Sequence, residues 1–326
     1  MPRLKFVMAA RTFSDVEIER EHLRGDDVEV VLAPLETPQE IAAATAGADG
    51  VIVTVDPLPA ACVEAFAPSV RVIGRAGIGL DAIDLDAAAV RGVGVVHVPD
   101  YATEEVATHA LALILGVQRR LLPGDAVARR DYGAWRELAP VAPLSEQTAA
   151  VVGLGRIGRA TAALLAPLFG RVSGFDPGVT EAPDGVSLVA SLDALLEEAD
   201  VVTLHLPLLP ETTALIDAAR LRAMKRSAVL VNVSRGGLID QPALAQALHD
   251  GEIAGAALDV LVAEPPAADD PILSAPNLLL SPHFGWYSTA AERRARTMTA
   301  DAMVDYLVGR ELRGGRIALD GRSAAS

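Results

Sequence analysis

Three short segments in the second half of the chain carry side chains that together could reduce a carbonyl group. Arg235 lies in NVSRGG, Glu264 in DVLVAEPP and His283 in SPHFGW. An arginine presents two parallel N–H donors to a carboxylate, so it can hold an organic acid in a fixed orientation. A histidine beside a carboxylate is stabilised in its protonated form and can give a proton to a carbonyl oxygen. The set predicts reduction of a 2-oxo acid, with Arg235 on the carboxylate, His283 as proton donor and Glu264 as the partner of His283.

Each of these residues also has an ordinary structural interpretation. Arg235 could lie in a surface turn, Glu264 on a polar loop and His283 at the end of a strand, and spacing alone does not show that they meet. All three follow predicted strands, and open parallel sheets bind ligands outside the carboxyl ends of their strands. This position favours the chemical interpretation.

A glycine-rich string, GLGRIG, supplies the second requirement of such a reaction, a site for a hydride carrier. The string follows the predicted strand AAVV and begins the predicted helix RIGRATAALLAPL. Gly153 permits the tight turn, Gly155 lets the backbone approach a pyrophosphate, and Gly158 lets helix and strand pack closely. Arg156 and Ile157 begin the helix, whose free N–H groups suit phosphates. The string predicts a dinucleotide site.

Asp176 predicts which dinucleotide is bound. It ends the next predicted strand, 18 residues after Gly158, where a carboxylate accepts hydrogen bonds from ribose hydroxyls. The same charge repels a 2′-phosphate, so the sequence predicts NAD rather than NADP. The alternative is an ordinary tight turn followed by a surface aspartate.

Alternation of strands and helices predicts the elements that position these residues. Short β-branched runs are separated by Ala-rich helical stretches, which is typical of βαβ units and parallel sheets. The predicted strands are LKFVMAA, VEVVLAP, GVIVTV, VRVIGRAG, VGVVHVPD, TAAVVGLG, RVSGFDP, ADVVTLHLP, AVLVNVSRG, GAALDVL and LLLSPH. The predicted fold class is α/β, with two Rossmann-like or flavodoxin-like doubly wound parallel-sheet domains and a cleft between them.

Two long helical patterns predict the domain boundaries in this chain of 326 residues. One, TEEVATHALALILGVQRRL, begins near residue 100, and the other occupies roughly 288–310. They predict an NAD-binding domain at 101–286, inserted into a discontinuous substrate-binding domain formed by 1–100 and 287–326. The tail RGGRIALDGRSAAS has too little apolar content to form a domain and is expected to be partly disordered.

Composition argues against several classes of function. The net charge of −15 repels phosphate backbones and anionic lipid, so neither nucleic acid nor a membrane is predicted as a partner. Cys62 is the only cysteine, and the histidines outside the proposed set have no partners at metal-ligand spacing, so no metal is predicted. No leader or membrane-spanning stretch is recognisable, which predicts a soluble cytoplasmic protein.

Four strings in order, GLGRIG, VNVSRGGLID, GAALDVLVAEPP and LLLSPHFGW, closely resemble the D-isomer-specific 2-hydroxyacid dehydrogenase family. The resemblance runs from GRAGIGLDAIDL to the helix after His283. It implies that Arg235, Glu264 and His283 form the catalytic set, with His283 also bordering the cofactor.

The resemblance implies further site residues and an assembly. It places Asp259 near the nicotinamide carboxamide, and Pro207 and Val233 among the residues that bind the cofactor. Backbone N–H groups around Gly77 and Ile78 are implied to help hold the substrate carboxylate. A homodimer built through the long helices is implied as well.

Within the family, VPDYATEEVATHALALIL and SPHFGWYSTAA are most similar to the branch that contains the C-terminal binding proteins. There a tryptophan follows the catalytic histidine, and Trp286 matches it.

Two departures from the pattern of the family stand out. Residues 54–56 read Thr-Val-Asp where phosphoglycerate dehydrogenase relatives often carry an arginine for a distal phosphate, and residues 105–110 read EVATHA where relatives often read SVAEHT, so a hydroxyl on the cofactor side is absent.

The predicted function is therefore an NAD-dependent D-2-hydroxyacid dehydrogenase. Trp286, together with the absence of a cation at 54–56, favours a substrate with an uncharged, apolar or thioether side chain. One alternative is an NAD(H)-responsive corepressor or scaffold, and another is a D-3-phosphoglycerate dehydrogenase. An enzyme for phosphonate-like substrates is disfavoured, because Lys5 and Lys225 are the only lysines and neither lies in the predicted pocket.

Overall fold

Strands alternate with helices along the computed structural model, which describes residues 3–25 and 27–322. The strands are β1 Leu4–Ala9, β2 Val28–Ala33, β3 Gly50–Val53, β4 Val72–Arg75, β5 Gly94–His97, β6 Thr148–Val152, β7 Arg171–Phe175, β8 Ser187–Leu188, β9 Val201–Leu204, β10 Val229–Asn232, β11 Gly255–Leu258, β12 Leu278–Leu280 and β13 Arg316–Leu319. The helices are α1 Glu17–His22, α2 Pro38–Ala44, α3 Ala60–Glu64, α4 Leu85–Val90, α5 Thr103–Gln118, α6 Leu121–Arg130, α7 Arg156–Leu165, α8 Leu192–Glu198, α9 Ala218–Ala223, α10 Gln241–His249 and α11 Thr289–Val308.

The chain divides into two compact units. The first comprises the described residues up to Ala102 and those from Ser288 onward, and the second is Thr103–Tyr287. The sequence predicted these boundaries between residues 100 and 101 and between residues 286 and 287. In the described part of the chain, no helix combines the length and the apolar character that crossing a membrane requires.

The first unit is built on a six-stranded sheet with the order β13-β5-β4-β3-β1-β2. All neighbours are parallel except β13, which is antiparallel to β5. Every residue of β3 is buried, as expected for a parallel strand covered on both faces. Because the chain passes from β1 to β2 on one side and then to β3 on the other, the switch point lies between β1 and β3.

The second unit is built on a seven-stranded parallel sheet with the order β12-β11-β10-β9-β6-β7-β8. The chain moves from β6 outward to β8 and then returns to place β9 on the other side of β6, so the switch point lies between β6 and β9. Asn232 pairs with Leu258, and Leu258 with Leu280, so β10, β11 and β12 end at the same edge. The predicted architecture of two parallel-sheet α/β domains is confirmed.

Two local predictions need correction. The helix expected over TEEVATHALALILGVQRRL ends at Gln118, and Arg120 takes a left-handed conformation (φ 54°) before α6 begins. In the tail, Arg316–Leu319 form β13 against β5, so this part is ordered. Residues 323–326 of the tail lie outside the described residues.

Candidate active site

The glycine-rich loop follows β6, at the switch point of the sheet in the second unit. Gly153 has a φ of 92°, which favours glycine, and a Cβ there would lie 2.6 Å from the carbonyl oxygen of His205. A Cβ on Gly158 would overlap the carbonyl oxygen of Gly153. A Cβ on Gly155, by contrast, would meet nothing within 4 Å. Two glycines therefore allow the loop to close on itself, while the third leaves its backbone open to a ligand.

Two further observations fit a dinucleotide at this loop. Asp176, just after β7, accepts hydrogen bonds from the backbone N–H groups of Leu154 and Gly178, both at 2.8 Å. Its carboxylate is thus fixed against the loop, and each oxygen keeps a second lone pair for a ribose hydroxyl. His205, beside Gly153, has a buried Nδ1 with no hydrogen-bond partner among the described residues, and burial lowers its pKa to about 3. The ring is therefore neutral, with one nitrogen available to a bound group.

The remaining residues expected to bind the cofactor lie around this loop. Arg156 and Ile157 form the first turn of α7, whose N-cap is Gly155. Pro207 follows β9 and is exposed, whereas Val233 follows β10 and is buried. The structure thus places all of them after the carboxyl ends of β6, β9 and β10.

Arg235 lies in a tight loop after β10. The Asn232 side chain fixes this loop, because its amide donates to the Arg235 carbonyl (2.8 Å) and its Oδ1 accepts from Ser234 N–H (3.0 Å). Arg235 Nη1 donates to the Ser234 carbonyl at 2.7 Å, and the side chain is half-buried. A Cβ on Gly236 would overlap the backbone of Leu261, so only glycine allows the Arg235 loop to pack against the segment that carries Glu264.

His283 and Glu264 form a direct pair. His283 Nδ1 lies 2.6 Å from Glu264 Oε2, and about a third of each side chain is exposed. Leu261 N–H donates to the other oxygen, Glu264 Oε1, at 2.9 Å. Burial alone would raise the pKa of Glu264, but the hydrogen bond and the charge of His283 outweigh it and leave the pKa below its usual value. Glu264 is therefore an ionised acceptor, and Nε2 is the histidine nitrogen that remains to deliver a proton.

His283 also has an unusual backbone conformation. Its φ is 53°, in the left-handed region that a non-glycine residue rarely adopts. Such a conformation costs on the order of 1–2 kcal/mol and tends to persist where surrounding contacts enforce it, often at functional sites. Here its N–H donates to the Asp259 carbonyl at 2.8 Å and to that of Ser281 at 3.1 Å.

Asp259 holds the loop that carries His283. Its buried carboxylate accepts from Ser281 Oγ (2.5 Å) and from the N–H groups of Phe284 and Gly285 (both 2.9 Å). Burial would raise the pKa of Asp259, but these bonds and one from His109 lower it to about 2. Within the chain, the Asp259 carboxylate therefore stabilises the loop that carries His283. Its expected position near the nicotinamide carboxamide stays a prediction.

Trp286 and its neighbours extend this loop with aromatic side chains. Trp286 is half-buried and meets Tyr287 edge-on, with ring centroids 5.5 Å apart. Phe284 is 50% exposed and packs against Tyr287 at 5.1 Å. The segment after His283 therefore presents a partly exposed apolar surface.

In the first unit, the residues expected to touch the substrate lie after β4. The Gly77 N–H donates to the Arg75 carbonyl at 2.8 Å, so this amide is already used within the fold. The Ile78 carbonyl lies 3.0 Å from His97 Nδ1, and across the described residues no acceptor lies within hydrogen-bond distance of the Ile78 N–H. Of the two amides, Ile78 is the better candidate to bind a carboxylate.

Residues 54–56 follow β3, at the switch point of the first unit. Asp56 is 3% exposed, and its Oδ2 accepts from the backbone N–H and the hydroxyl of Thr54, at 3.0 and 3.1 Å. Within the described residues no lysine or arginine pairs with Asp56. Residues 54–56 therefore contribute a buried carboxyl group and no cation.

Comparison with known proteins identifies the family. Residues 111–285 match the family model described as the NAD binding domain of D-isomer specific 2-hydroxyacid dehydrogenases, which is more than half of the chain. The chain belongs to the D-isomer specific 2-hydroxyacid dehydrogenase family. The matched residues lie within the second unit, Thr103–Tyr287.

Individual members of the D-2-hydroxyacid dehydrogenase family show how far the similarity extends. The D-3-phosphoglycerate dehydrogenase of Mycobacterium leprae is 38% identical over 289 residues, covering 87% of this chain and 54% of that protein. The chain therefore spans about half the length of this relative. The glyoxylate reductase of Korarchaeum cryptofilum is 38% identical over 260 residues and 78% of each chain. Among solved structures, the TT0316 protein of Thermus thermophilus has a TM-score of 0.84 and 35% identity, and covers 97% of this chain and 100% of that one.

The sequence did not assign a role to two residues of the site, His109 and Ser281. In the sequence, His109 is one of the histidines with no partners at metal-ligand spacing, but in the structure its Nε2 lies 2.9 Å from Ser281 Oγ and 3.3 Å from Asp259 Oδ1. One signal could have found it: in EVATHA the histidine keeps its place in the family string SVAEHT, although both of its neighbours differ.

Proposed function

We propose that this protein is an NAD-dependent D-2-hydroxyacid dehydrogenase that acts as a 2-oxo acid reductase. The observation that carries the proposal is the 2.6 Å pair between His283 and Glu264 at the same sheet edge as the glycine-rich loop. A paired imidazole beside a dinucleotide loop is what proton-coupled hydride transfer to a carbonyl requires. Family membership supports the same reaction class.

Three side chains of the second unit have different roles in the proposed reaction. Arg235 binds the substrate carboxylate and so fixes which face of C2 is presented. His283 Nε2 gives its proton to the C2 oxygen as the carbonyl is reduced, and the ionised Glu264 stabilises the imidazolium before that transfer. In the oxidative direction His283 takes the hydroxyl proton back.

The cofactor is held by the glycine-rich loop. The open backbone at Gly155, the first turn of α7, Asp176 and the unpartnered nitrogen of His205 together fit NAD. Bound there, NADH supplies the hydride that reaches C2. A carboxylate in the position of Asp176, where folds of this kind bind the adenosine ribose, would repel a 2′-phosphate, which favours NAD over NADP.

The substrate we propose is a 2-oxo acid with an uncharged apolar side chain. The aromatic segment Phe284, Trp286 and Tyr287 follows His283 and offers apolar contact, which suits aliphatic and thioether groups. Asp56 is buried and pairs with no lysine or arginine among the described residues, and residues 54–56 offer no cation of their own, which disfavours a substrate that carries a distal phosphate.

A D-3-phosphoglycerate dehydrogenase is the second candidate, and the 38% identity to the Mycobacterium leprae enzyme of that name favours it. One experiment separates the two. NADH oxidation is followed with 4-methylthio-2-oxobutyrate, 2-oxoisocaproate, glyoxylate and 3-phosphohydroxypyruvate, and the product is tested with stereospecific enzymes. We expect the two apolar acids to have the highest kcat/KM and the product to be the D-isomer.

Other outcomes have distinct meanings. If 3-phosphohydroxypyruvate or glyoxylate is used best, the proposed preference for an apolar substrate side chain is wrong, but the proposed 2-oxo acid reductase activity is still supported. If no 2-oxo acid supports NADH oxidation, the reductase itself is wrong, and a binding role of the kind known for the C-terminal binding proteins becomes the better explanation.

Two further parts of the proposal concern the whole protein. We propose a homodimer, because no residue of α6 is buried and Leu121, Leu122 and Trp135 are 60%, 58% and 57% exposed. Such apolar side chains close together in the chain are more typical of an interface than of a free surface. A cytoplasmic location stays a prediction from the sequence.

A further inference from the structure

A hydrogen-bonded cluster lies behind the His283 loop and outside the residues assigned to the chemistry. His109, on α5, has its Nε2 2.9 Å from Ser281 Oγ. Ser281 in turn lies 2.5 Å from Asp259 Oδ1. The ring of His109 also packs on the loop, because a Cβ on Gly285 would lie 3.1 Å from its Cδ2.

The distances determine where the protons are. Asp259 accepts hydrogen bonds from Ser281 Oγ and from the N–H groups of Phe284 and Gly285 and is ionised, so it has no proton to give. Ser281 has one hydroxyl proton, and the 2.5 Å separation from Asp259 requires that proton between the two oxygens. His109 must therefore donate from Nε2 to Ser281, which fixes its neutral tautomer as Nε2–H.

The Asp259 carboxylate, at which these donors end, also accepts from the backbone around His283. Asp259 holds the N–H groups of Phe284 and Gly285, the two residues that follow His283. Those contacts oppose the relaxation of His283 from its left-handed conformation. The imidazole faces Glu264 only while the loop keeps this shape.

We propose that His109 is a positioning residue for the reaction, acting through Ser281 and Asp259 on the loop that carries His283. His109 donates to Ser281, which orients the hydroxyl toward Asp259, and Asp259 is then held in the orientation that binds both amides. This inference rests on the proposed function, since it names a residue that supports the proton donor of that reaction.

Substitutions of His109 test the inference by kinetics. His109→Leu keeps an apolar side chain of similar size but removes the N–H that donates to Ser281. His109→Gln places an amide N–H at about the position of the histidine Nε2. With the best 2-oxo acid of the panel, we expect His109→Leu to lower kcat by about 10- to 100-fold, the effect of a small misplacement of a reacting group. NADH affinity, measured by fluorescence titration, should change little, and His109→Gln should recover most of the lost kcat. His249→Leu, at the exposed end of α10, is the matched control and should behave as wild type.

A second variant covers the case in which His109→Leu does not fold. Ser281→Ala should lower kcat in the same way, and, where His109→Leu folds, adding His109→Leu to Ser281→Ala should lower kcat no further, because the two residues act as one unit. Wild-type kcat in His109→Leu or in Ser281→Ala would overturn the proposal. So would a His109→Gln variant as impaired as His109→Leu.

A measurement without substrate separates this inference from the proposed function. Long-range ¹H–¹⁵N correlation spectra of histidine-labelled protein report which ring nitrogen of His109 is protonated, and the His109→Gln variant assigns the signal. An Nε2–H tautomer at neutral pH supports the donor chain, and an Nδ1–H tautomer overturns it. A wild-type protein that reduces no 2-oxo acid would contradict the proposed function, and the tautomer would still test the hydrogen-bonded chain.

Discussion

Two carboxylates contact the same loop, and their surroundings give them different roles. Glu264 is partly exposed and pairs with the His283 imidazole, whereas Asp259 is buried and binds backbone amides and a hydroxyl. Both pKa values are lowered against the opposing effect of burial, so both groups are ionised at neutral pH. Glu264 can stabilise the positive charge that His283 carries while it is protonated, whereas Asp259 maintains the conformation of the loop that carries His283.

The first prediction concerns His283. His283→Ala should lower kcat by about 10²- to 10⁴-fold, because general acid–base help is lost. NADH affinity should be nearly unchanged, since the glycine-rich loop and Asp176 are untouched. Steady-state kinetics and NADH fluorescence titration measure the two effects, with His249→Ala as the control. Turnover close to wild type would show that another group delivers the proton.

The second prediction concerns Asp176 and the choice of cofactor. The wild type should prefer NADH, and Asp176→Asn should narrow the ratio of kcat/KM for NADH over NADPH by removing the negative charge. Asparagine is chosen because its amide oxygen can still accept the Leu154 N–H that holds the loop. Equal use of both cofactors by the wild type would contradict the assignment.

At the scale of elements, the buried parallel strands were predictable from sequence, whereas the edge strands β8 and β13 were not. Buried parallel strands appear in sequence as short β-branched runs, and each predicted run contains a strand of the structure. The break between α5 and α6 has one signal, Pro123, which lies three residues after the left-handed Arg120 and in the first turn of α6. A proline lacks the N–H that would continue α5 and is tolerated in the first turn of a new helix. The edge strand β13 depends on pairing with β5, more than 200 residues earlier, which local composition cannot reveal.

The same limit applies to the site. Residues that follow adjacent strands could be grouped from sequence, because parallel strands bring their carboxyl ends to one edge. This reasoning grouped Arg235, Glu264 and His283 as a candidate set, and the structure pairs His283 directly with Glu264. It could not identify the bond between His109 and Ser281, which are 172 residues apart and belong to a helix and a strand end with no common motif.

The third prediction follows from the loop that Asp259 organises. Its folded pKa of about 2 lies below the ordinary 3.8, so the folded state favours the ionised form. The resulting stability is present above about pH 4 and is lost as the pH falls toward 2, and amounts to about 2 kcal/mol. Denaturant unfolding of wild type and Asp259→Asn should therefore differ most at pH 7 and converge toward pH 2. A difference in stability that does not change with pH would mean that Asp259 titrates normally.

At the scale of the whole molecule, each of the two units has its own sheet and core. The segment that begins with α6 contributes little to either core. α6 and the residues after it lie between α5 and β6, and the only regular structure between α6 and β6 in the described chain is a pair of short 3₁₀ turns. Its ion pairs, Arg129 with Asp125 and Arg130 with Glu137, lie on the exposed surface, where such pairs stabilise little. The segment is held weakly by its own chain, which suits a structure completed by a second copy.

The last prediction tests that assembly. Leu121, Leu122 and Trp135 expose more than half of their side-chain surface, and the neighbouring Tyr132 is 88% exposed. Light scattering coupled to gel filtration should give a wild-type mass near twice the chain mass of 33.9 kDa. Replacing Leu121, Leu122 and Trp135 with serine should shift the protein toward monomer, because the apolar area that drives association is removed. Val90→Ser, at another exposed apolar residue (89%), should leave the mass unchanged. A monomeric wild type, or a triple variant that stays dimeric, would show that this segment does not form the interface.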